Sequence, residues 1–118
     1  MTDPITTPRS HLPHHRLVAY QVAVQLLLAV KAAGIRDTHL RDQAYRAAKS
    51  ACLNTAEGAG RMSRNDKARA FAIARGEAVE AIAAVEIAEL AGDADAGATD
   101  RCLPLAERLV ALLTGLTR

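Results

Sequence analysis

RAAKSACLNTAEGAGR, residues 46–61, and FAIARGEAVEAIAAVEIAE, residues 71–89, decide the fold of this chain. Both are rich in alanine, the strongest helix former. Between them come two closely spaced glycines, Gly58 and Gly60, and then Ser63, three residues ahead of Asp66. That spacing is a capping-box variant, with Asp in place of the usual Glu. The pair therefore reads as two helices joined by a tight turn. One runs from His39 or Leu40 to Ala59 and takes Gly60 as its left-handed cap. The other runs from the Ser63 cap to Leu90 or Ala91 and stops at Gly92.

Working outward, a helix from Pro13 to about Ala33 precedes this hairpin and ends at Gly34, because proline suits a first helical turn and glycine a C-terminal cap. A fourth helix from about Asp100 to Leu116 follows the polar connection DADAGATD, residues 93–100. Pro104 fits it only within the first turn, since deeper placement removes a backbone hydrogen bond. No segment alternates as a half-buried strand does. Four helices with short connections predict an all-α fold, an antiparallel up-down-up-down four-helix bundle over residues 13–118. Residues 1–12, with Pro4 and Pro8, predict a disordered tail.

The helix faces differ in kind. Apolar residues of the first helix, from Leu17 to Val30, run most of the way round it, whereas a surface helix of a monomer needs one apolar stripe. This predicts cover from another subunit. The second helix carries a stripe of mostly small residues (Leu40, Ala44, Ala47, Ala48, Ala51, Thr55, Ala56) that permits close approach. Asp42, Arg46 and Lys49 lie opposite, with Asp42 and Arg46 at the spacing of a surface ion pair. In the third helix Ala68, Phe71, Ala72, Ala78, Val79, Ile82, Val85 and Ile87 supply apolar positions. Leu109, Val110, Leu112, Leu113 and Leu116 form the buried face of the fourth.

With 118 residues the chain is sized for one domain with one core. Half its residues are hydrophobic, yet Tyr20, Tyr45 and Phe71 are the only aromatics. Cys52 and Cys102 lack CxxC spacing and read as reduced thiols of a cytoplasmic protein, Cys52 as core. The N-terminal segment has no secretion-signal core, and the apolar run from Val22 to Val30 is too short to span a bilayer. The net charge of +2 hides a split. Residues 1–75 hold twelve Lys/Arg against five Asp/Glu, and residues 76–118 hold three against eight. An anionic partner for the basic half, or head-to-tail association between subunits, would each account for it.

The hairpin also resembles the four-helix-bundle proteins encoded in intervening sequences of 23S rRNA genes, relatives of the accessory variability proteins of diversity-generating retroelements. Arg46, Ala47, Ala48, Ser50, Asn54, Ala56, Glu57, Gly58, Gly60 and Arg61 carry the resemblance on one helix. Ala74, Arg75, Gly76 and Glu80 carry it on the next. The chain departs from the family at Ala51 and Cys52, where Ile and Pro are common, and at Glu77, where Ser is usual. The resemblance implies a homopentamer, a ring of bundles around a channel. It also implies a basic protein that binds nucleic acid and cooperates with a reverse transcriptase.

Three constellations are candidate sites. Asn54 and Glu57 share a face of the second helix, and Arg75 and Glu80 sit on the antiparallel third. They read as a structural polar network fixing helix register, or as a carboxylate pair with a positioning Arg. With no nucleophile or phosphate-binding loop nearby, the chain reads as no enzyme, with no catalytic residue, metal or cofactor. Arg61, Arg64, Lys67 and Arg69 surround the turn, with Arg41, Arg46 and Lys49 on the second helix. They read as phosphate contacts to RNA or DNA, or as an ordinary solvated face or salt bridges to the acidic half of a neighbouring subunit. With so few aromatics, nucleic-acid binding would be phosphate-led and weakly sequence-specific. His11, His14 and His15 have spacing that permits zinc but lack a nearby Cys or carboxylate to complete a site, so they read as part of a solvated tail. The function expected is a non-enzymatic, nucleic-acid-binding homo-oligomer; the alternative is a structural or protein-interaction ring held by charge pairs.

Overall fold

The computed structural model describes residues 10–118, so most of the expected tail, residues 1–9, lies outside the described residues. Four helices make up the fold: α1 (Val18–Lys31), α2 (Thr38–Gly60), α3 (Arg64–Leu90) and α4 (Ala98–Leu116), with a short 3-10 turn over Pro13–Arg16 ahead of them. There is no strand among the described residues. α2 and α3 share the most extensive contact, α3 and α4 the next, and α1 closes the core against α2 and α4.

Local chemistry sets most of the ends. Ser63 caps α3, its hydroxyl accepting from the Asp66 amide at 3.1 Å. Asp37 caps α2 by accepting from the Leu40 amide at 2.9 Å, so α2 starts at Thr38, slightly earlier than the apolar pattern indicates. Three expectations need correction. The first helix is interrupted: Leu17 is extended and separates the 3-10 turn from α1. Gly60 is not a left-handed cap; it stays helical, and Arg61 ends α2 in an extended conformation. Pro104 lies in the second turn of α4, because that helix already begins at Ala98 behind the left-handed Gly97.

The core is built largely from alanine. Ala44, Ala47, Ala48, Ala51 and Thr55 of α2 are completely buried, as the small-residue stripe predicts. They face Phe71, Ala74, Ala78, Ala81 and Val85 of α3. Leu26, Leu109 and Leu113 supply the bulk from α1 and α4. Small residues on both helices leave little room at the far end of the hairpin. A Cβ on Gly58 would lie 2.6 Å from the Phe71 ring. In α3 the apolar residues do not all face inward: Val79 and Ile87 are 45% and 52% exposed. Leu28 on α1 is also exposed in the single chain.

The α1–α2 and α3–α4 connections meet at one end and are sewn together. The Arg36 amide donates to the Asp93 carbonyl at 2.6 Å, and the Asp95 amide to the Ala33 carbonyl at 3.2 Å. The Arg36 guanidinium donates to the Gly92 carbonyl at 2.7 Å, covering the C-terminus of α3. Gly34, at φ +69°, is required twice over: its backbone is left-handed, and a Cβ there would collide with the Asp95 carboxylate.

Candidate nucleic-acid interface

At the opposite end of α2, the turn to α3 gathers Arg61, Arg64, Lys67 and Arg69 within nine residues of sequence. The structure gives these cations different partners. Arg61 is held by Glu57 one turn earlier on α2, which raises the guanidinium pKa by hydrogen bonding and charge. Lys67 turns back on α2 and donates to the carbonyls of Ala59 at 2.9 Å and Gly58 at 3.4 Å. It therefore satisfies helix-end acceptors that would otherwise lack partners. Arg64 and Arg69 are exposed and form no ion pair among the described residues. Glu57, Arg61, Asp66, Arg69, Ala70 and Ile73 line a cleft of about 360 Å³ beside the turn.

The α2 cations are mostly engaged. Arg46 does not pair with Asp42 as the sequence spacing predicts. It reaches across to α3, where Glu80 lies at 2.8 Å and Glu77 at 3.5 Å. Glu77 Oε2 is buried and receives no hydrogen bond among the described residues, so Arg46 supplies its charge compensation. Arg46 is more than half exposed, so its pairs are worth roughly 0–1 kcal/mol each. Their larger effect is that Arg46 arrives at any outside anion already neutralised. Asp42 lies 3.8 Å from Arg41 instead. Lys49 sits over the Tyr45 ring at 4.4 Å.

The expected network of Asn54, Glu57, Arg75 and Glu80 does not assemble. Asn54 donates to the Ser50 carbonyl at 2.9 Å and to its hydroxyl at 3.1 Å. Glu57 takes Arg61, Glu80 takes Arg46, and Arg75 Nε donates to the Thr114 hydroxyl of α4 at 2.8 Å. The reason is geometric: Arg46 meets α3 at Glu77 and Glu80, and Arg75 turns toward α4, away from Glu57. His14 belongs to the 3-10 turn and packs edge-on against Tyr20 with centroids 4.8 Å apart. Burial, and then the neighbouring His15, lower its pKa. His11 Nδ1 accepts from Arg16 at 3.2 Å. No group of three or more His, Cys, Asp or Glu side chains is placed to hold a metal among the described residues.

Residues 15–115 match the family described as 23S rRNA-intervening sequence protein. The chain belongs to this family. The match covers α1, α2 and α3 in full and α4 to its penultimate residue, so the residues carrying the hairpin resemblance sit inside a whole-domain similarity. A comparison with curated proteins finds no match. No helix among the described residues is long and apolar enough to cross a membrane.

Sequence reasoning missed one polar residue that ties two helices of the 23S rRNA-intervening sequence domain together. Glu89 accepts from the Thr99 amide at 2.7 Å and the Gly97 amide at 3.0 Å. A side chain of α3 thus caps the N-terminus of α4, and these hydrogen bonds lower the Glu89 pKa. The signal was present in outline: α4 has no capping Ser, Thr, Asp or Asn at Gly97, so its first amides needed a partner from elsewhere.

Proposed function

We propose that this protein is a non-enzymatic, self-associating member of the 23S rRNA-intervening sequence family that contacts nucleic-acid phosphates through the α2–α3 turn. The observation that supports this most is the exposure of Arg64 and Arg69 beside Arg61, with no carboxylate paired to either among the described residues. Cations already satisfied within the chain, such as Arg46, add little to an outside contact. Arg64 and Arg69 are free to exchange counterions for phosphate oxygens. The family description, which names a ribosomal RNA intervening sequence, agrees with a nucleic-acid context. The non-enzymatic part rests on Asn54, Glu57, Arg75 and Glu80, each bonded to a different partner and sharing no reacting position.

A ring of five copies, an up-down-up-down path for each chain, a cytoplasmic location and cooperation with a reverse transcriptase complete the reading. They rest on the resemblance and on the chain's short connections. Five copies of the turn would multiply the local field, so even two free cations per chain would give a strongly anion-attracting surface.

The test is binding of labelled RNA and duplex DNA across a salt series. The expected result is a linear fall of log affinity with log salt. Arg64→Glu and Arg69→Glu should each shallow the slope by about 1. Arg46→Glu should change it less. No binding by an intact oligomer at low salt would remove nucleic acid from the reading. It would favour the alternative, a protein-interaction ring in which these cations meet acidic residues of a neighbouring copy.

A further inference from the structure

α3 turns its core-facing residues toward α2 and α4, and its opposite face is open. At about 100° per residue, Ala72, Gly76, Val79, Ala83 and Leu90 fall on one outward stripe. Ile73 and Ile87 flank it on one side, Arg75 and Glu86 on the other. The stripe is apolar where a surface helix normally carries charge. Ile73 is 46%, Ile87 52% and Leu90 87% exposed. Its middle is small, and a Cβ built on Gly76 would meet nothing within 4 Å.

The charges of α3 are divided along its length. Residues 64–76 contain Arg64, Lys67, Arg69 and Arg75 against Asp66, a net +3; residues 77–90 contain Glu77, Glu80, Glu86 and Glu89 and no cation, a net −4. This layout opposes the helix macrodipole, which favours anions near the N-terminus and cations near the C-terminus. Only Asp66 is placed to suit it, and the last turn holds no basic residue. The arrangement does not serve the isolated helix. Glu77 and Glu80 are held by Arg46, Glu89 by the start of α4 and Lys67 by the end of α2, so the charges left for a second, antiparallel helix are those without an ion pair, above all Arg75 and Glu86.

The register for such a pairing can be read directly. Ile73 lies seven residues before Glu80 and Ile87 seven after it. Two antiparallel copies of α3 centred there set Ile73 of each against Ile87 of the other. Gly76 then falls within one residue of Ala83, the nearest position on the same stripe, which lets the backbones approach closely. Arg75 comes within one residue of Glu86, inside the reach of its side chain, and because a two-fold keeps each flank against the same flank, this ion pair forms twice. Arg75 gives Nε to Thr114 within its own chain and keeps its terminal nitrogens for this contact.

We propose that the outer face of α3 is a self-complementary interface for a second copy of this chain, packed antiparallel about a two-fold near Glu80. This deepens the self-association reading and rests on it. The contact forms pairs, so it gives a dimer, or ten subunits where it joins two five-membered rings.

Sedimentation velocity over a range of protein and salt concentrations tests it, with helical circular dichroism confirming that each variant folds. Arg75→Glu and Glu86→Arg, each placing like charges across the contact, should weaken association at least tenfold. The double variant R75E/E86R should restore it to within about threefold of the unmodified chain. Val79→Lys, at an exposed position, should also split the pairs. An assembly whose mass ignores these changes, or a double variant that fails to restore it, overturns the α3 interface while leaving self-association standing. A monomer at every concentration overturns both.

Discussion

Gly58 and Gly60 lie two residues apart on α2, and a methyl group has opposite consequences at the two. At Gly58 it meets the buried Phe71 ring at 2.6 Å, so Gly58→Ala should destabilise by about 1–2 kcal/mol, overpacking outweighing the gain in helix propensity. At Gly60 it meets nothing within 4 Å, and the backbone is helical, so Gly60→Ala should stabilise by roughly 0.5–1 kcal/mol. Urea unfolding of both variants checks the pair. The sequence makes these glycines look alike, and assigning Gly60 to a left-handed cap follows from spacing alone. What separates them is the position of Phe71 on α3, a tertiary fact that no local pattern carries. Cys52 is more legible: its alanine and leucine neighbours indicate core, and burial pushes the thiol up to about 11. Cys52 and Cys102 should both resist a disulfide reagent at pH 8 in the folded protein and react once denaturant is added.

At the scale of elements, capping residues are local and read well, as Ser63 does for α3 and Gly92 beyond its end. Caps supplied from a distance do not. Glu89 reaches α4 across a loop, and nothing in the sequence around Gly97 names it. Its pKa is lowered in the folded chain by the amides of Thr99 and Gly97. The stability it contributes is therefore present above the ordinary carboxylate pKa of about 4.3 and is lost as pH falls through the lower folded value. Thermal melts between neutral and acid pH should show a steeper acid loss for the unmodified chain than for Glu89→Gln, which should already be less stable at neutral pH. The start of α4 two residues earlier than expected has the same cause, and it pushes Pro104 into the second turn. Pro104→Ala should raise the melting temperature, with a gain of about 1–3 kcal/mol, since the exposed proline removes a hydrogen bond the helix could otherwise make.

For the whole molecule, all-α character and helix count were legible because alanine content, glycine stops and a capping box agree with one another. The candidate interface was legible only as a cluster of charges. Which cations are free depends on cross-helix geometry: Arg46 is taken by Glu77 and Glu80, Lys67 by the end of α2, and Arg64 and Arg69 by neither. The outward turn of Val79 and Ile87 was likewise invisible, because a helix that is apolar on many sides does not announce which side the core takes. One feature of the assembled chain sets how it should open. The connections at Gly34 and Asp95 are laced together by backbone and Arg36 hydrogen bonds, whereas the α2–α3 turn, with Met62 96% exposed, makes no backbone hydrogen bond to another connection among the described residues. The molecule is built like a pair of tongs, riveted at the loop end and free at the tips. Breathing motions should therefore grow along α2 and α3 toward Arg61 and Arg64, and trypsin should nick there before it reaches Arg36. The end that offers positive charge would then also be the end with the most freedom to shape itself to what it grips.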